Sequence, residues 1–154
     1  GLGDVYKRQS FYWRDTLPTQ AVRLDKIITG TYNVPGNYKV VYQTNLSGGT
    51  WRTMYDNLST MQNYTLDASP AALGLASNEY VTQFMVSFGV VPSNFRQVEA
   101  PRVYCNVVSW LTGGTHFVNQ ADVGGVYDGQ WIMATSRWVT KVYKPSEPLP
   151  RTGY

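Results

Sequence analysis

The sequence predicts an all-β fold: an antiparallel, Ig-like or prealbumin-like β-sandwich with at most one short helical turn. Three observations carry that prediction. Aromatic residues make up 14% of the 154 residues while charged residues make up only 15%, against about a quarter charged in an ordinary soluble domain. Apolar and polar residues alternate in short runs, the period of a half-buried strand. Gly 14 and Pro 8 punctuate those runs as turn signals. The chain is too apolar for a disordered segment and too poor in strong helix formers for a bundle.

Residues 10–18, with the aromatic run Ser10–Arg14 ahead of Asp15-Thr16-Leu17-Pro18, read as a linker or the end of a preceding element. Gln20–Tyr32 alternates as a strand, with Val22, Leu24, Lys26 and Ile28 on one face. Asn33-Val34-Pro35-Gly36-Asn37 is a turn, and Tyr38–Thr44 is expected to return along the first strand as a hairpin. Trp51–Tyr55 and Tyr64–Asp67 follow as short strands. Pro70–Gly74 is the helical turn, with Ser69 as N-cap and Gly74 as stop. Asn78–Gly89 carries apolar residues on both faces, which predicts a central strand. After a loop over Pro92–Pro101, strands are expected at Val103–Trp110, Thr115–Val118, Gln130–Thr135 and Trp138–Tyr143, with turns at Gly113-Gly114, Gly124-Gly125 and Asp128-Gly129. The sandwich is thus expected over residues 19–143, followed by a Pro-rich spacer and a terminal motif over 144–154.

Charge and residue counts exclude several functions. Thirteen basic and ten acidic residues give a net charge of +3, and the basic ones are scattered, which argues against a nucleic-acid partner. No apolar run reaches the ~18 residues of a membrane-spanning helix. One Cys and one His leave no multi-histidine metal site and no intrachain disulfide. Cys105 and His116 are the residues closest to a nucleophilic pair, but Cys105 sits in an apolar run where a thiol packs as a small hydrophobe. Asp122 and Asp128 bracket Gly124-Gly125 and offer fewer oxygens than Ca²⁺ requires. No metal, cofactor or catalytic residue is therefore assigned, and the domain reads as a non-enzyme. Asn45, Asn57 and Asn63 each begin an Asn-X-Ser/Thr triplet and are read as turn chemistry.

Two sites remain as candidates. Lys26, on an apolar strand face, suits an amine nucleophile whose charge is costly there; Asn106 as acceptor and Glu79 or Asp122 as acid would complete an isopeptide crosslink. Trp13, Trp51, Trp110, Trp131 and Trp138 could offer a stacking platform to sugar rings, or pack in the core.

Leu149-Pro150-Arg151-Thr152-Gly153, after Lys144-Pro145-Ser146-Glu147-Pro148, resembles the LPXTG sorting signal of Gram-positive cell-wall surface proteins. The resemblance implies that Pro150 kinks an exposed peptide, Leu149 fills an apolar pocket, and Thr152 presents the carbonyl attacked by a sortase cysteine. Cleavage before Gly153 would pass Thr152 to a peptidoglycan precursor or a pilin lysine. The body of the chain, through segments such as Ala21–Ile28 and Asn78–Thr82, is similar to wall-proximal β-modules of adhesins and pilins from gut Firmicutes. The implied protein is secreted, extracellular and wall-anchored, a sortase substrate with a structural and presentational role. The alternatives are a module binding a host or glycan ligand, or the stalk of a wall-anchored enzyme. The family pattern continues with an apolar span and a basic tail, so the gene product is expected to extend past Tyr154. Asp4-Val5-Tyr6-Lys7-Arg8-Gln9 resembles a translated sequencing adapter, so residues 1–9 are expected to be non-native and the natural chain to continue upstream of Ser10.

Overall fold

The computed structural model describes residues 8–20, 22–107, 116–127, 130–141 and 152–153, with side chains described between 10 and 106. Among the described residues, twelve strands and one helical turn follow in order. They are β1 (Arg8–Thr16), β2 (Val22–Ile28), β3 (Thr31–Tyr32), β4 (Asn37–Thr44), β5 (Arg52–Ser59), β6 (Thr65–Asp67), α1 (Pro70–Leu73), β7 (Val81–Pro92), β8 (Gln97–Glu99), β9 (Arg102–Val107), β10 (His116–Tyr127), β11 (Gln130–Lys141) and β12 (Thr152–Gly153). Sheet A runs β11-β10-β1-β7-β4-β5, sheet B runs β12-β9-β2-β6, and β3 pairs with β8. Every strand pair is antiparallel. The all-β, antiparallel sandwich class is the predicted one.

The core lies between the two main sheets. Trp13, Val40, Phe84 and Val86 face it from sheet A, and Leu24, Ile27, Leu66 and Val103 face it from sheet B. Such burial supplies about 1.5–3 kcal/mol for each large apolar side chain. A buried relay crosses the core: Trp13 Nε1 donates to the Tyr32 hydroxyl at 3.1 Å, and that hydroxyl donates to the Thr29 carbonyl at 3.1 Å. Burial also holds the Tyr32 phenol protonated, pushing its pKa well above the ordinary value of 10.

The helical turn forms as its caps dictate. Ser69 Oγ accepts from Ala72 N at 3.2 Å, and Gly74 ends the turn in the left-handed region at φ 64°. β7 is central, between β1 and β4, as its two apolar faces predict.

Four expectations need correction. Residues 10–18, expected as a linker or the end of a preceding element, belong largely to β1, an interior strand of sheet A whose Trp13 is fully buried; the aromatic run is a core strand. Its first two residues, Arg8 and Gln9, pair with Pro92 and Val91. The expected strand over Gln20–Tyr32 breaks at Gly30, whose φ is 74° and where an added Cβ would clash with the Glu99 carbonyl. The expected hairpin does not form either. β2 joins β6 and β9, whereas β4 joins β5 and β7. The Asn33–Gly36 segment carries the chain between sheets and is fastened to Thr60, whose N–H and Oγ1 donate to Gly36 and Val34 carbonyls at 2.9 and 2.6 Å. Finally, Gly124-Gly125 is no turn: both residues lie inside β10, opposite Met133 and Ile132 of β11.

Candidate functional sites

The crosslink triad is not assembled. Alternation places Lys26 with Val22 and Leu24, but the β2–β9 register shifts between Leu24 and Lys26. This bulge resets the faces, so Val22, Leu24 and Ile27 are buried while Lys26 and Ile28 are only half-buried. Lys26 instead pairs with Tyr104 and Asp67, its Nζ 4.7 Å from the Tyr104 ring centre. Asn106 is exposed and lies opposite Arg23. Glu79 sits beside sheet A, where its carboxylate accepts from Thr44 Oγ1 at 2.6 Å, Arg52 Nη1 at 2.8 Å and Ala76 N at 3.2 Å. The hydrogen bonds from Thr44, Ala76 and Arg52 hold it below the ordinary carboxylate pKa. Its acid is therefore committed to sheet A, while the amine and amide belong to sheet B.

Cys105 is buried on β9, and burial, with Asp15 and Asp25 nearby, pushes its thiol far above the ordinary value. A thiol so held is a poor nucleophile. The His116 side chain lies outside the described residues, as do Asp128 and the whole of Leu149-Pro150-Arg151. Asp122 falls within β10, opposite Arg14 and Thr135, rather than in a loop.

Among the tryptophans, Trp13 is core and meets Phe84 edge-to-face at 5.6 Å. Trp51 is half-buried, and the side chains of Trp110, Trp131 and Trp138 lie outside the described residues. Among the described residues no aromatic ring is exposed; the exposed large apolar side chains are Leu46, Met61, Val90 and Val98. Of the two described tryptophans, one is thus core and one keeps part of its ring at the surface.

The Asn residues of the three triplets differ in use. Asn45 bridges to the segment ahead of β7, accepting from Tyr80 N at 2.8 Å and donating to the Asn78 carbonyl at 3.0 Å. Asn63 accepts from Gly30 N at 2.9 Å and so fixes the break between β2 and β3. Asn57 adopts φ 54° on β5, a conformation costing an L-residue about 1–2 kcal/mol, least for Asn and Asp.

That Asn57 belongs to a cavity that alternation cannot reveal. β4 and β7 remain paired as far as Lys39 opposite Ser87. β7 continues along β1, with a register shift at Gly89, whose φ is 70°. On the other side of β4, Asp56 and Asn57 together face Lys39, between the pairs Tyr38–Leu58 and Val40–Tyr55. The resulting cavity of about 400 Å³ is lined by Asn37, Lys39, Asp56, Asn57 and Ser87, with Tyr38, Phe88 and Gly89 behind them. Only paired bulges create it, and a bulge leaves no mark in a two-residue period.

Thr152 and Gly153 form β12, opposite Val103 and Arg102 at the free side of β9. No family profile, no curated protein and no solved structure matches this chain.

Proposed function

We propose that this chain is the wall-proximal structural module of a sortase-anchored surface protein of adhesin or pilus type, joined to its acceptor through Thr152. The observation that carries the reading is Leu149-Pro150-Arg151-Thr152-Gly153 following a Pro-rich stretch. Two features support it. Seven of the described aromatic rings, Trp13 among them, are buried in the core, and the described thiol and carboxylate candidates are buried or committed to partners. The protein is then the substrate of transpeptidation: a sortase thiolate displaces Gly153 from the Thr152 carbonyl, and an amine displaces the thiolate.

The pairing of Thr152 and Gly153 with β9 involves two residues of each strand, too short a ladder to stand alone, so the peptide can leave the sheet edge to enter an enzyme. Incubation with a sortase and a glycine-based amine should release Gly153-Tyr154 and leave the amine on Thr152, read by intact mass. A peptide of residues 144–154 serves as a control free of the fold. If neither substrate reacts, the anchoring reading is wrong.

A further inference from the structure

A sheet face is ordinarily flat, and a concavity on it requires departures from regular pairing. In sheet A such departures converge from both sides on Lys39. The β5 bulge brings Asp56 and Asn57 against it, and β7 parts from β4 just beyond Ser87. Asn57 is the one non-glycine at positive φ among the described residues. It is braced there by Asp56 Oδ1, which accepts from Asn57 N at 2.7 Å. Glycine would adopt this conformation more easily, but it would remove the amide that Asn57 contributes to the cavity.

We infer that this cavity is a binding site for one ring of a neutral sugar, free or at the tip of a glycan. Its volume, about 400 Å³, lies at the small end of the range for small-molecule sites. Lys39 and Asp56 oppose one another in charge, so the lining favours a neutral ligand over an ion. Two amides, a hydroxyl, an ammonium and a carboxylate supply donors and acceptors side by side. Sugar hydroxyls are both donor and acceptor, and they match such a mixed lining. The side chains of Asn37, Lys39, Asn57 and Ser87 have no hydrogen-bond or ion-pair partner among the described residues, so their capacity is open to a ligand. Tyr38 and Phe88 reach the cavity from the core but stay buried, so recognition rests on hydrogen bonds and not on ring stacking. An open site of this kind suits weak single-ring affinity, with Kd on the order of 1 mM, raised when several copies engage one glycan.

NMR titration of the full chain with neutral hexoses, N-acetylhexosamines and a uronic acid tests the proposal. At least one neutral sugar should give saturable shifts confined to the backbone around Asn37–Lys39, Asp56–Asn57 and Ser87–Gly89. Asp56→Ala should weaken that binding at least tenfold. Asn57→Gly should weaken it at least fivefold while the melting temperature holds or rises, which separates lost binding from lost folding. No saturable shift with any neutral sugar, binding by the uronic acid alone, or affinity unchanged in both variants would overturn it. Neither variant touches residues 149–153, so failure here and failure of the anchoring reaction are read independently.

Discussion

At one end of the sandwich Phe11, Tyr32, Tyr38, Phe88 and Phe95 meet ring against ring; at the other, Thr44, Arg52 and Glu79 meet through hydrogen bonds and an ion pair. The aromatic end has Phe88 4.6 Å from Tyr32, 4.9 Å from Tyr38 and 5.5 Å from Phe11, with Tyr32 stacked on Phe95 at 5.4 Å. Each such ring contributes about 2–3 kcal/mol by burial and about 0.5–1.5 kcal/mol more for a well-placed ring pair. The polar end ties the β4–β5 connection to the approach to β7 through Glu79 and through Asn45 with Asn78 and Tyr80. Arg52 keeps its side chain 40% exposed, and an ion pair with so exposed a partner is worth little. The contrast separates strength from sensitivity. Rings hold one end at acid and neutral pH alike, whereas a titratable carboxylate holds the other.

Substitutions can break that contrast. Phe88→Ala should be the most damaging, lowering stability by about 3–5 kcal/mol in chemical denaturation, equally at pH 4 and pH 7. Tyr32→Phe keeps the ring but removes the hydroxyl that accepts from Trp13 and donates to Thr29; a loss of about 2 kcal/mol is expected. A neutral result would show that the relay is not needed to close the core. Ser69→Ala, which strips the cap from α1, should cost about 1 kcal/mol.

Glu79→Gln should have the smallest effect at neutral pH. Its signature is the shape of the acid limb. The folded-state pKa of Glu79 lies below its ordinary value of 4.5, so its contribution is complete above that value and is lost as pH falls through the folded one. Asp67, held low by hydrogen bonds from Ser69, acts in the same direction. Melting temperatures measured from pH 6 downward should therefore fall less steeply in Glu79→Gln than in the parent chain. An unchanged slope would remove Glu79 as the source of sensitivity.

Much of this fold was legible in the sequence because its signals are local. Ser69 and Gly74 carry the helical turn in their own side chains and backbone preference, and the two apolar faces of β7 declare its central place. What alternation misreads is non-local. A bulge between Leu24 and Lys26 adds one residue to the count and reverses every later face, so Lys26 turns from an apolar environment to the Tyr104 ring. The Ser10–Arg14 run is too short to show a period, and its role becomes visible only when β7 and β10 flank it. Partner choice for β4 depends on Thr60 capturing the Val34–Gly36 segment, a contact that no window around Tyr38 contains. The Lys39 cavity is hidden for the same reason, since its residues come from three strands and from departures in their pairing.

The placement of β1 has a mechanical consequence. β1 begins at the end of sheet A where Tyr127 meets Gln130, while β11 finishes at Lys141, beyond the opposite end of β1. Tension drawn between Arg8 and Lys141 slides β1, β10 and β11 past one another. The cross-strand bonds between them then carry load in shear, together, instead of opening one after another. β12, paired through two residues, peels away before that load reaches the sheet. A chain pulled at Gly153 would lose β12 first and then meet the combined resistance of three long strands.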